Sequence, residues 1–151
     1  MNDLRFAVYE ARCAAASRLK AEILPHNKEV LFDALSAAGI AVVTVGFDGC
    51  GDSGQFEAPS AFAADNESRE VPDTAVTVQC VDFENSQITE IETSVRDYIE
   101  ELVCDLLEQK HDGWEDGDGA YGEFRFSLDE RSVTLEYSER YTATNYYEHE
   151  F

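Results

Sequence analysis

The stretch "VTVGFDGCGDSGQFE", residues 43 to 57, decides what kind of fold this chain has. It contains Gly51-Asp52-Ser53-Gly54, the turn that carries the nucleophile of trypsin-like proteases, and that reading demands two β-barrels. It also contains Gly49-x-Gly51-x-x-Gly54 straight after a strand-like run, the dinucleotide fingerprint, which demands a parallel sheet with crossover helices. The plain reading is a tight acidic turn between two strands.

The first two readings fail on chemistry. A seryl hydroxyl is a poor nucleophile without a histidine base and a buried aspartate on a two-barrel scaffold. A chain of 151 residues is too short for that scaffold, His26, His111 and His149 lie in no Ala-His-Cys context, and Gln55 stands where the protease motif has glycine. A dinucleotide site needs a helix opening at Gly54, so that backbone N–H groups and the helix dipole meet the pyrophosphate. The chain continues instead as "QFEAPSAF", with Pro59 in the would-be second turn, and Asp52 would set a carboxylate beside the phosphates. The turn remains: its glycines permit positive φ, Asp48 and Asp52 suit Asx-turns, and Gln55-Phe56-Glu57 resumes an extended chain.

Outward from that turn the chain reads as one domain over 1–151. At this length folding buries roughly 68–70% of the unfolded chain's surface, enough for a single core. Toward the amino terminus, Leu4, Val8, Ala11, Ala15, Leu19 and Ile23 mark a helix over 3–24, which Pro25 ends or resets. A second helix over 27–38 starts at Asn27 as its cap and stops at Gly39. Residues 40–57 hold the strand and the acidic glycine turn. Toward the carboxyl terminus, 58–74 carries two prolines and no periodicity and reads as a long loop, and 75–82 reads as a strand. The clearest helical stripe runs over 86–110, with Ile88, Ile91, Val95, Tyr98, Leu102 and Leu106 on one face and Ser86 or Asn85 as cap. Phe124, Phe126 and Leu128, then Val133, Leu135 and Tyr137, alternate as a hairpin over 121–138, and 139–151 is an aromatic tail. Helices, strands, helix and hairpin in that order give an α+β class, a small antiparallel or mixed sheet with helices packed on one face.

Charge is the most unusual property of the composition. With 32 Asp and Glu against 11 Lys and Arg, the formal net charge is −21. The field of such a molecule opposes direct binding to nucleic acid or anionic lipid. It fits a salt-screened, solvated surface, a partner with a basic surface, or cations. Cys13, Cys50, Cys80 and Cys104 form no C-x-x-C pair and so write neither a zinc site nor a redox motif, and Cys80 reads as core. The first twenty residues interleave charges with apolar residues and lack the uninterrupted apolar core of a signal peptide, and no run approaches a membrane span. The expectation is a cytoplasmic protein.

The second acidic loop also has two readings. From Asp112, "DGWEDGDGAYGE" matches the EF-hand calcium loop at Asp112, Asp116, Gly117 and Glu123. Trp114 occupies a ligand position it cannot serve, and a strand leaves the loop where the EF-hand has a helix. The alternative is a glycine-rich connection between a helix and a hairpin, in which His111 partners the helix C-terminus.

The stretch "NKEVLFDALSAAGIAVVTVGFDGCGDSGQFE", the later "LLEQKHDGWEDGDGAYGEFRFSLDERSVTLEYSERY" and the final "HEF" resemble a bacterial family of single-domain proteins often met on plasmids and other mobile elements. The motifs G-D-S-G-Q and G-W-E…G-A-Y-G-E-F carry that resemblance over most of 27–151. It implies a compact α+β domain and no catalytic residues to carry over. A mobile-element setting favours, by analogy, a small acidic protein that blocks a host defence or nucleic-acid-handling factor.

These observations rank three functions. First is a non-enzymatic interaction module that docks a basic protein surface, with no cofactor, through Asp48, Asp52, Gln55, Glu57, Trp114, Glu115 and Asp118, together with Asp112, Asp116 and Glu123 if the two loops meet. Second is a calcium module using Asp112, Asp116 and Glu123. Third is a hydrolase using Asp52, Ser53 or His111, for which the sequence supplies no base and oxyanion partners.

Overall fold

The computed structural model describes residues 2–151. Its elements run α1 (Asn2–Ala37), β1 (Val42–Cys50), β2 (Ser53–Phe56), β3 (Ser60–Phe62), β4 (Ser68–Arg69), β5 (Ala75–Asp82), β6 (Gln87–Ser94), α2 (Val95–His111), β7 (Ala120–Ser127) and β8 (Ser132–Glu139). The class is α+β with wholly antiparallel pairing. The main sheet has the order β4-β3-β1-β7-β8, with β2 also paired to β1, and β5-β6 forms a separate two-stranded sheet.

The main sheet follows from alternation. Val43, Val45 and Phe47 of β1 stand opposite Phe126, Phe124 and Gly122 of β7, and these opposite Val133, Leu135 and Tyr137 of β8. One face is therefore apolar and packs on Leu31, Phe32 and Leu35 of α1 and on Ile99, Val103 and Leu107 of α2, all buried. The other face carries Thr44, Asp48, Tyr121, Glu123 and Glu136 outward. Among the described residues no helix is long and apolar enough to cross a membrane.

Three elements differ from the sequence reading. The helices expected over 3–24 and 27–38 are one helix of 36 residues with Pro25 inside it. Proline removes one donor and crowds the preceding turn, but Ile23 and Leu31 are buried on either side of it. Asn27, expected as a cap, instead pairs with β5. Its Nδ2 donates to Gln79 O and its Oδ1 accepts from Gln79 N, both at 2.8 Å, so tertiary packing carries the helix through the break. The helix then ends as expected, on Gly39 at φ 74, with Ile40 N donating to Leu35 O and Gly39 N to Ser36 O in a Schellman closure.

The helix expected over 86–110 begins only at Val95. Residues 87–94 are strand β6, and the cap is Ser94, whose Oγ accepts from Asp97 N at 3.0 Å. Ile88, Ile91 and Val95 have the spacing of a helical stripe, but Ile88 and Ile91 face Val81 and Val78 across the hairpin. Cys80, expected in the core, is only half-buried, with its thiol 3.0 Å from the Thr89 hydroxyl of β6. The loop over 58–74 contains two short strands, of which β3 pairs with β1 at Val42, Val43 and Thr44. The tail beyond β8 has no regular structure and is exposed throughout, including Tyr146, Tyr147 and Phe151.

Candidate functional site

The stretch 43–57 forms strand β1, a two-residue turn and strand β2. Gly51 and Asp52 have φ of 59° and 66°, with Cys50 paired to Ser53. Two successive positive φ angles make a type I′ hairpin turn, which matches the right-handed twist of the strands on either side. Glycine carries the first position without strain. Ser53 opens β2 as an exposed strand residue, and no helix follows Gly54, so neither the protease nor the dinucleotide geometry forms.

Gly49 and Gly54 serve a different need. They are cross-strand partners, and the Trp114 indole of the α2–β7 loop lies against both. A Cβ at Gly49 would come within 2.7 Å of the ring, and one at Gly54 within 2.5 Å. Trp114 then meets Phe47 and Phe56 edge-on, with ring centroids 5.3 and 5.7 Å away. The two glycine-rich loops are thus one packed unit. Backbone bonds complete it: Gly51 N donates to Gly117 O at 3.0 Å and Asp52 N to Glu115 O at 3.1 Å.

Interlocking brings carboxylates together. The Asp52 carboxylate beside Asp116 holds the Asp116 carboxyl above the usual carboxylate range, and partial desolvation, Glu115 and Asp112 push the same way. Asp118 accepts from the Thr142 hydroxyl at 2.8 Å. Asp112 ends α2 as its C-cap. Shallow polar clefts flank Trp114. One of about 530 Å³ is lined by Lys110, His111, Asp116, Asp118 and Arg140, and one of about 300 Å³ by Asp52, Glu108, Asp112 and Glu115.

The expected site residues divide into two groups. Asp52, Asp112, Glu115, Asp116 and Asp118 gather in the interlocked loops, with Trp114 as their anchor. Asp48, Gln55, Glu57 and Glu123 lie around β1 instead. Asp48 pairs with Gln55 on one side and Tyr121 on the other, Glu57 lays its carboxylate over Gly46, and Glu123 faces Gly46 and Glu136. The expected calcium set is split by this arrangement, since Asp112 and Asp116 belong to the loops and Glu123 to the sheet. Among the described residues no group of three or more His, Cys, Asp or Glu side chains is placed to hold a metal ion.

Arg140 joins the two groups, and sequence reasoning missed it. Its Nη2 pairs with Asp48 Oδ1 at 2.9 Å, its Nη1 donates to Gly49 O at 3.1 Å, its backbone N donates to Gly119 O at 3.0 Å, and its guanidinium sits 4.7 Å from the Tyr121 ring centroid. A lone arginine just past a strand carries no sequence signal for these contacts. His111 stacks face to face on Tyr137, with centroids 3.6 Å apart and planes within 3°. Desolvation pushes the Tyr137 hydroxyl pKa up, with Glu139 and Glu115 adding to it.

The chain belongs to the DUF6878 family, a family of unknown function, whose model matches residues 23–151. The match therefore spans both interlocked loops and the tail and begins inside α1. No curated protein and no solved structure matches the chain.

Proposed function

We propose that this family member is a non-enzymatic interaction protein whose interlocked acidic loops dock a basic protein surface, occluding a nucleic-acid-binding site on that partner. The interlock carries the reading. Two hydrogen bonds and the Trp114 contact fix the loops to each other, so Asp52, Asp112, Glu115 and Asp116 are held out together at the cost of mutual repulsion. An arginine- or lysine-rich surface offsets that repulsion, and a pre-formed array loses little entropy on binding. Tyr141 is exposed and lines the cleft with Asp116 and Asp118, where it supplies an aromatic anchor of the kind that dominates binding energy.

Capture from host lysate at low and high salt tests this. The expected partner is a nucleic-acid-binding protein that is released as salt rises. It should also be lost with the triple variant Asp52→Asn, Asp112→Asn and Asp116→Asn, whose fold is checked by circular dichroism. The same partner bound equally by wild type and variant would remove the loops from the interface.

The closeness of Asp52 and Asp116 favours a second reading, a calcium-binding module in which these two carboxylates share one ion whose remaining ligands are water and backbone oxygens, since among the described residues no third acidic side chain is placed with them. At a hundredfold excess over Kd an ion adds about 2.7 kcal/mol of stability. For this length that is a rise in Tm of roughly 5–10 °C, read by calorimetry with calcium against chelator at fixed ionic strength. Equal melting temperatures sink the calcium reading and leave the docking reading standing.

A further inference from the structure

The first twenty residues have the opposite electrostatic character from the rest of the chain. They hold Arg5, Arg12, Arg18 and Lys20 against Asp3 and Glu10, a net charge of +2, so the remainder carries −23 of the total −21. This segment is an arm of α1 that precedes the family match at residue 23. Burial is slight over its first part, with Leu4 72% exposed, Phe6 62%, Val8 46% and Tyr9 58%, while Tyr9 meets Phe83 edge-on and Ala16 and Leu19 further along are buried. Leu4, Arg5, Val8, Tyr9 and Arg12 line one strip of it, apolar side chains flanked by guanidinium groups.

Elsewhere on the molecule is a groove of complementary character. Between α1, β5 and α2 lies a cavity of about 320 Å³ with an apolar floor that includes Leu24, Val78, Leu102 and Leu106. Glu101 and Asp105 stand on its rim, where Lys20 reaches Asp105 across 3.6 Å. The rim belongs to an acidic stripe on α2. Burial, then Glu108, Asp105, Glu100 and Glu101, hold the Cys104 thiol on that stripe above its ordinary range. An amphipathic helix with cationic flanks is the natural occupant of an apolar groove with acidic edges.

We propose that the occupant is the arm of a second copy of this chain: Leu4 and Val8 enter the groove while Arg5 and Arg12 meet Glu101 and Asp105, and reciprocal exchange closes the assembly as a dimer. Charge complementarity selects a second copy, because the chain supplies both a strip lined by Arg5 and Arg12 with no acidic side chain in its lining and a groove whose rim holds Glu101 beside the Lys20–Asp105 pair. Mutual exchange also satisfies both arms and both grooves, whereas one-way docking would leave one of each open and propagate into filaments.

Sedimentation of the full chain over a range of concentrations tests this through paired charge reversal. Wild type should dimerise. The arm variant Arg5→Glu/Arg12→Glu and the rim variant Glu101→Arg/Asp105→Arg should each dimerise at least tenfold more weakly, which corresponds to about 1.4 kcal/mol. Mixed in equal amounts they should recover a heterodimer, since the acidic arm meets the basic groove and the basic arm meets the acidic groove. Circular dichroism confirms that both variants fold. A monomeric wild type overturns the proposal, as does a dimer that survives either reversal or a mixture that stays monomeric.

Discussion

The two hairpins β5–β6 and β7–β8 have the same dimensions and opposite surroundings. Each joins two eight-residue strands through a four-residue loop, 83–86 in one and 128–131 in the other. Each loop ends on a non-glycine residue in the left-handed region, Ser86 at φ 52 and Arg131 at φ 48. Yet β7 is paired on both edges and buries Ala120, Phe124 and Phe126, while β6 pairs with β5 alone and is exposed over most of its length. Equal backbone geometry is thus held by different means. Side-chain packing holds β7–β8, and Arg131 ties its turn to Glu29 and Asp33 of α1 at 3.0 and 2.8 Å. The β5–β6 pair rests on α1 through β5, with Asn27 as its hydrogen-bond partner.

That difference predicts unequal costs for truncating an apolar side chain in the two hairpins. Phe124 is 1% exposed, so Phe124→Ala should destabilise by about 3–5 kcal/mol in denaturant unfolding, through lost transfer energy and the cavity left behind. Ile88 is 40% exposed, so Ile88→Ala should stay within about 0.5–1 kcal/mol. Comparable costs at the two positions would mean that β6 is covered in solution by something this fold does not supply.

The same contrast explains what the sequence revealed. A strand declares itself by alternation only where one of its faces is buried, which is the case for Phe124, Phe126, Val133 and Leu135, and the expectation for 121–138 agrees closely with β7–β8. Strand β6 has few buried positions, so nothing enforces alternation, and its two isoleucines fall at the helical spacing that leads into Val95. The glycines of the 43–57 turn were legible as a turn, but their contact with Trp114 was not. That contact joins positions about sixty residues apart, and local spacing carries no record of it. Pro25 misled for the same reason, since the packing that overrides it comes from β5.

Capping separates the two readings of 86–110 directly. If the helix starts at Val95, Ser94→Ala removes the acceptor for Asp97 N and costs about 1 kcal/mol. Ser86→Gly should be neutral or slightly stabilising, because Ser86 holds a positive φ that glycine adopts freely. A helix capped at Ser86 predicts the reverse order, and chemical denaturation of the two variants distinguishes them.

The smallest effect contrasts two aspartates beside these hairpins. Asp82 opens the β5–β6 turn and accepts from Asn85 Nδ2 at 2.7 Å and from the Glu84 and Asn85 backbone at 3.1 and 3.3 Å, bonds that stabilise its charged form and lower its pKa. Asp116, in the loop that enters β7, has its pKa raised by Asp52 first, then by desolvation, Glu115 and Asp112. The pH dependences therefore have opposite signs. Asp82 binds fewer protons folded than unfolded, so its stabilisation is present above the ordinary carboxylate pKa and is lost as pH falls through its lowered folded value. Asp116 binds more protons folded than unfolded, so the native state is favoured below the ordinary pKa and loses that advantage as pH rises through the raised folded value. Asp116 is exposed and Asp82 only half-buried, so each contribution is a fraction of what a buried pair shows. Carboxyl chemical shifts followed through a pH titration should place the Asp116 midpoint above that of Asp82. Asp116→Asn should raise Tm slightly at neutral pH and leave it unchanged in acid, where the wild-type carboxyl is already protonated. If Asp116→Asn instead lowers Tm at neutral pH, its carboxylate is already neutralised there by a bound cation or partner, and the repulsion within the interlocked loops is not what sets its pKa.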